Sequence, residues 1–284
     1  MSCDPNFSQV SLLLHFDGSN GGTTFTDSSS VGNTVNTAGA AALSTAEVMF
    51  GTASMEVGTA GNSANGANVV FAANGPLDLS TGDFTVEGWF YIPSVSGVVS
   101  MVFSYCWPFN ANTGFRMYVT GAGIAYAQIL ASGAGPANAC SNQNAVVPSA
   151  AWTHFAVVRQ GASLDLFIGG VSSGTGVANI SNSNLLCGTK LSIGYDSYFF
   201  QGSALVGYID EFRVTKGLAR YTPGTSFTPP ASAFGGACAP SGGTVYGAFA
   251  PLPKVFKPIA LSNLEGAIPR IWPAYEDKTV RIKP

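Results

Sequence analysis

Charge is scarce in this chain. Asp, Glu, Lys and Arg make up 10% of its 284 residues, against about 25% in an ordinary soluble protein. Gly, Ser, Ala, Thr and Asn fill the difference, so the surface is largely neutral and polar. Such a surface suits an extracellular or particle-bound protein whose neighbours cover part of it. The net charge of -3 gives no general attraction to nucleic acid. Histidine is almost missing. His15 and His154 both fall in strand-like segments, with no Ser or Cys placed as a triad partner, and read as structural. Phosphate loops, dinucleotide fingerprints and metalloprotease helices are absent. No apolar run reaches the ~18 residues of a membrane-spanning helix. The start, Met1-Ser-Cys-Asp-Pro-Asn-Phe7, has neither a basic region nor an apolar stretch and does not read as a signal peptide. Export by another route, such as lysis, is expected for a protein that works outside a cell. None of the five cysteines forms a Cys-x-x-Cys pair, which argues against a zinc ribbon. Their odd number argues against a complete disulfide framework, and buried or surface thiols are expected. Cys106–Cys140 is the first pair to test.

Hydrophobic residues, at 46%, are ample for a core. They come in short alternating segments separated by Gly, Asn, Ser and Pro clusters. Examples are Val10 to Phe16, Phe84 to Ile92, Phe115 to Val119, Ile124 to Leu130, His154 to Arg159 and Leu205 to Val214. This period of two, without a helical period, predicts an all-β sandwich or jelly roll. In Phe84 to Ile92 the alternation sets Phe84, Val86, Gly88, Phe90 and Ile92 on a core face. Thr85, Glu87, Trp89 and Tyr91 take the other. On Leu205 to Val214 it places Asp210 on the side of Phe212 and Val214, where a carboxylate needs a partner.

Residues 222-243 read as a linker, rich in Pro and Gly. Beyond it the composition shifts. Residues 1-234 hold six basic and twelve acidic residues, whereas 235-284 hold six basic and three acidic. Seven of the sixteen prolines lie in that last stretch. Two parts are therefore expected: a β domain, 1-234, and an extended arm, 235-284. Phe249, Phe256, Ile268, Trp272 and Tyr275 would serve as the arm's anchors, docking it on other subunits or on copies of the chain.

Four segments together carry a family likeness: Leu13-Leu-His-Phe-Asp-Gly18, Phe84-Thr-Val-Glu-Gly-Trp-Phe-Tyr-Ile92, the stretch from Trp152 to Gly170, and Leu191-Ser-Ile-Gly194 followed after a loop by Gly207-Tyr-Ile-Asp-Glu-Phe-Arg-Val214. Over about residues 8-234 the chain resembles a laminin-G-like jelly roll of the concanavalin A-like lectin/glucanase superfamily. It is similar in particular to versions found in tailed-bacteriophage structural proteins. The resemblance implies two stacked antiparallel sheets, with ligands at a concave face or loop rims.

Three sets of site residues follow. The aromatic loops Tyr105, Trp107, Phe109 and Tyr195, Tyr198, Phe199, with Asp196, Gln201, Asn110 and Asn112, are the candidate glycan contacts. Rings stack on sugar faces and the polar groups bond hydroxyls. The competing reading packs these rings under their own loops or against another subunit. Asp17, Asp27 and Asp210 are candidate calcium ligands, since hard oxygens suit that ion. Alternatively Asp17 caps a turn and Asp210 accepts backbone N–H bonds. The paired carboxylates of a glucanase are not found: no Glu-x-Asp-x-x-Glu run exists, Asp210 and Glu211 point to opposite faces, and Glu87 stands alone. The function expected is that of a non-enzymatic virion protein, a decoration or tail-associated subunit assembled in the host cytoplasm and extracellular after lysis. The alternative is a carbohydrate- or host-receptor-binding adhesion module; a glycoside hydrolase comes last.

Overall fold

Segments that alternate apolar and polar residues pair into two antiparallel sheets. The computed structural model describes residues 3–58, 65–95, 97, 99–105, 114–130, 137–174, 178–180, 189–196 and 204–239. The chain divides into one unit at Met1–Ser241 and another at Gly242–Pro284. All described residues belong to the first, so the expected arm anchors lie outside them. After a 3-10 turn at Phe7–Gln9 come β1 (Val10–Leu14), β2 (Val35–Ala38), β3 (Ala42–Ser44), β4 (Ser54–Gly58), β5 (Gly66–Val70), β6 (Phe84–Tyr91), β7 (Ser100–Tyr105) and β8 (Gly114–Val119). Then follow β9 (Ala125–Leu130), β10 (Ala137–Asn142), β11 (Trp152–Gln160), β12 (Ser163–Ile168), β13 (Val171–Ser172), β14 (Ala178–Asn179), β15 (Lys190–Ile193) and β16 (Gly207–Lys216).

One sheet has nine strands, ordered β13-β12-β11-β6-β16-β4-β3, with β1 also on β16 and β14 also on β12. The other has seven, ordered β10-β9-β8-β7-β15-β5-β2. Their facing sides make the core. Phe84, Val86 and Phe90 point into it as the alternation requires, joined by Phe155, Phe212 and Val214. Phe103 and Phe115 meet them from the second sheet, with ring centroids 5.5–6.0 Å apart for Phe84–Phe115, Phe103–Phe155 and Phe103–Phe212. Burying each such side chain contributes about 1.5–3 kcal/mol.

The outer face of the nine-stranded sheet is buried as well. Glu87 is not solitary there. Its Oε1 accepts from Arg213 Nη2 at 2.7 Å and Nε at 3.0 Å, and its Oε2 from the Tyr221 hydroxyl at 2.7 Å. His154 Nε2 lies 3.5 Å from Oε2. Arg213 and Arg220 both reach Asp4, at 3.2 and 2.6 Å. The cover over this network is the stretch expected to be a linker. Tyr221 stacks on Phe227 at 3.6 Å, both against Phe167. Phe234 lies 3.8 Å beneath the Arg213 guanidinium. A disulfide, Cys3–Cys238, closes the cover over the N-terminus. Cys140 is a free buried thiol, in line with the thiol reading, and burial pushes its pKa up; Cys106, the partner to test for it, lies outside the described residues. Thus residues 222–239 belong to the β unit, because they seal polar groups that a bare sheet face would expose.

A bulge adjusts β16 to this network. The pairing with β6 slips between Asp210 and Arg213, and Glu211 adopts φ +53°. Ile209 and Phe212 thereby both face the core, while Asp210 leaves it. Asp210 sits opposite Trp89, and its carboxylate accepts from the backbone N–H groups of Met49, Phe50 and Glu211. Simple alternation therefore misplaces Asp210. Gly88 fits the bulge: a Cβ there would lie 3.1 Å from the Glu211 carbonyl and from the Phe155 ring.

Burial alone would push Glu87 up, but Arg213, His154 and Arg220 bring it down to about 2. A carboxyl held below its unfolded value adds stability above that unfolded value and loses it as pH falls toward the folded one. Glu87→Gln should therefore flatten the acid limb of a urea-unfolding profile between pH 4.5 and 2. At neutral pH it should cost about 3–5 kcal/mol, because the buried Arg213 keeps only Asp4 as a carboxylate partner. Truncation gives a second check. A chain ending at Ser241 should melt like the full protein, whereas one ending at Gly235, which lacks Cys238, should lose about 2–5 kcal/mol.

Candidate functional site

The seven-stranded sheet carries a polar row on its outer face. Six of its strands place one polar residue in register: Asn36, Asn68, Ser192, Ser104, Arg116 and Gln128. The alternation that sends Phe103, Phe115, Met117, Ala127 and Leu191 into the core turns these neighbours outward. Asn68, Ser192, Ser104, Arg116 and Gln128 are nonetheless buried. Arg116 Nε donates to Gln128 Oε1 at 2.6 Å, and its Nη1 to Asp196 Oδ2 at 3.0 Å. The hydroxyls of Ser104 and Ser192, directly opposite each other, have no hydrogen-bond partner among the described residues. Buried hydroxyls are seldom left so.

Two residues along from Arg116 and Gln128 sit Tyr118 and Tyr126, in register. Their rings stack at 5.4 Å and 14°, partly exposed. Arg116 lies 5.8 Å from the Tyr118 ring. Burial raises the pKa of the Tyr118 hydroxyl. The result is a near-parallel aromatic pair, beside donors and acceptors in fixed positions.

Three of the ten expected glycan contacts are placed differently from that expectation. Tyr105 is a core residue of β7, 2% exposed, with its ring against Phe71, Phe103 and Phe115. Tyr195 is equally buried. Asp196 is buried too, its carboxylate held by Arg116. These three are buried and are not free contacts: Tyr105 ends β7, while Tyr195 and Asp196 follow directly on β15. Trp107, Phe109, Tyr198, Phe199 and Gln201 lie outside the described residues, as do Asn110 and Asn112. Sequence reasoning missed Tyr118, Tyr126, Arg116 and Gln128. The signal was present: alternation in two neighbouring segments sets all four on one face.

The expected calcium ligands do not converge. Asp17 accepts from Thr52 N and Oγ1. Asp27 accepts from Leu13, Ser29 and Asn33. Asp210 is spent on the three backbone groups described above, and burial pushes its carboxyl up to about 8. Among the described residues no group of three or more His, Cys, Asp or Glu could hold a metal ion. The turn-capping reading of Asp17 and the backbone-acceptor reading of Asp210 hold instead. His15 Nδ1 lies 2.7 Å from Glu211 Oε1, and this hydrogen bond raises the His15 pKa. Among the described residues no helix is long and apolar enough to cross a membrane.

Solved structures share this architecture at low identity. Domain 4 of AbnA, an extracellular arabinanase from Geobacillus stearothermophilus, in complex with arabinotriose, matches at TM-score 0.52 and 15% identity, over 74% of this chain and 94% of that one. The botulinum neurotoxin serotype D binding domain matches at 0.52 and 14%, over 75% of this chain and 49% of that one. The binding domain of botulinum neurotoxin DC in complex with SialylT matches at 0.54 and 11%, over 75% and 49%. The chain thus spans about half the length of the toxin domains. No curated protein matches it. A family model described as Concanavalin A-like lectin/glucanases superfamily matches residues 63–218. That span runs from just before β5 to just past β16, more than half of the chain. The protein is therefore a member of the laminin G-like family of that superfamily.

Proposed function

We propose that this protein is a non-catalytic glycan-binding module whose ligand lies on the outer face of the seven-stranded sheet. The observation that carries the reading is the Tyr118–Tyr126 stack beside a polar row that crosses six strands. A pyranose face packs on such rings, and its hydroxyls meet side-chain amides and hydroxyls held by the sheet. Two of the structural relatives are described in complex with arabinotriose and SialylT, which supports the same class of ligand here. The twelve carboxylates of the β unit favour binding over hydrolysis. Glu87 and Asp196 are held by arginines, and Asp165, Asp210 and Glu211 by backbone N–H groups, whereas retaining hydrolysis needs two carboxyls about 5 Å apart across a bound sugar. The expected place in a bacteriophage particle rests on the basic arm and the phage-like resemblance. Neither the fold nor the relatives add to it.

A glycan array with the full chain should return hits of millimolar to micromolar affinity. Tyr126→Ala should lower the best of them by about tenfold or more, since stacked rings contribute on the order of a kcal/mol each. Its melting temperature should stay close to the parent's, because the ring is partly exposed. Trp107→Ala and Tyr198→Ala ask whether these expected contacts share the ligand. Binding that survives Tyr126→Ala unchanged would refute the assignment of this face.

A further inference from the structure

The cover over the nine-stranded sheet leaves one patch open. A single cross-strand row runs Trp152, Tyr91, Tyr208, Glu56 across β11, β6, β16 and β4. All four side chains are partly exposed. Neighbouring rings are 5.8 and 5.9 Å apart, but they are inclined at 53° and 70°. This is not the flat pair of the other sheet. Inclined rings present π faces and edges from several directions, as in a cage. A saccharide gains most from a flat platform.

A cavity of about 140 Å³ opens at the acidic end of the row, lined by Glu56, Gly58, Pro93, Val206, Gly207 and Tyr208. It is well below the ~300–1,000 Å³ of an ordinary small-molecule site. One compact headgroup fits; an oligosaccharide does not. Gly207 keeps the cavity open in a particular way. Its φ is +151°, and a Cβ there would run into the Tyr91 carbonyl, so β16 can lie this close to β6 only with glycine at that position.

The electrostatics point the same way. Glu56 and Glu47 take part in no ion pair among the described residues. Burial first, and then the Glu47 carboxylate that the Tyr91 hydroxyl hydrogen-bonds, raise the Tyr91 pKa; burial first, and then Glu56 and Glu47, raise that of Tyr208. Two carboxylates with no cationic partner among the described residues, beside three π faces, favour a positive ligand by both Coulomb attraction and cation–π contact. They would give a neutral ligand only hydrogen-bond acceptors.

We propose that this patch binds an organic ammonium group, the quaternary or alkylated headgroup of a small molecule, seated between Glu56 and Tyr208. The site is separate from the glycan face, lying on the other sheet. The test titrates tetramethylammonium and choline into the full chain, followed by NMR shifts of the tryptophan and tyrosine rings. Dimethylbutanol, the neutral carbon isostere of choline, is the control. Choline should bind at least about tenfold more tightly than the isostere, and Glu56→Gln should remove most of that preference. Added salt should weaken choline binding, a readout that does not depend on any variant folding. Tyr126→Ala should leave it untouched, so failure of the glycan face and failure of this site are distinguishable. Equal binding of the isostere, indifference to Glu56→Gln, or displacement by a neutral oligosaccharide would each overturn the proposal.

Discussion

The Glu87–Arg213 contact holds this architecture in its present form. It lies on the outer side of a sheet, where neither charge could remain in water once the 218–236 segment folds over it. Desolvating two charges costs several kcal/mol each. That cost is met only because every partner is in place: Asp4 from the N-terminus, Arg220 and Tyr221 from the segment after β16, and His154 from β11. The pair therefore links parts of the chain remote in sequence, with Glu87 separated from Arg213 by 126 residues. Take away the segment, and the sheet would expose an apolar strip, Ala156, Val158 and Phe167, beside unpaired ions.

This arrangement makes the two faces of the sandwich unlike. One is sealed by the protein's own chain and its disulfide. The other keeps a polar row with two hydroxyls that no described residue satisfies. Recognition is assigned to that second face, with a smaller charged patch at the rim of the first. The β16 bulge serves the same division. It turns Asp210 and Glu211 away from the core together, one to the 49–50 backbone and the other to His15 and Phe234, so that neither is left as a free acid in a cleft.

The fold was largely legible from residues alone. A period of two is a local signal, and all the long alternating segments became strands whose ends shift by about two residues. The strands it missed, such as β2 and β3, are short and polar or lie at sheet edges. What stayed hidden depends on distant partners. Glu87 looks solitary because Arg213, Tyr221 and His154 approach it from other strands and from the cover. Asp210 looks core-facing until a bulge, invisible to alternation, turns it. The cysteines show the same limit: spacing could not reveal that Cys3 lies beside Cys238, 235 positions away. Loops were over-read for aromatic residues, and Tyr105 and Tyr195 proved to be core. Meanwhile the paired tyrosines of β8 and β9 passed unnoticed because each looked like an ordinary strand residue.

The Cys3–Cys238 bond has a mechanical consequence. It fastens the end of the cover to the beginning of the β unit, beside the bridge between Asp4 and Ala237. A tug on whatever follows Ser241 therefore reaches a covalent knot before it reaches the cover. The load then passes to β1, whose pairing with β16 must shear as a whole. Without the knot, the same tug would strip the cover contact by contact, an unzipping that needs far less force. Load entering through Cys238 thus bypasses the cover, which keeps its contacts.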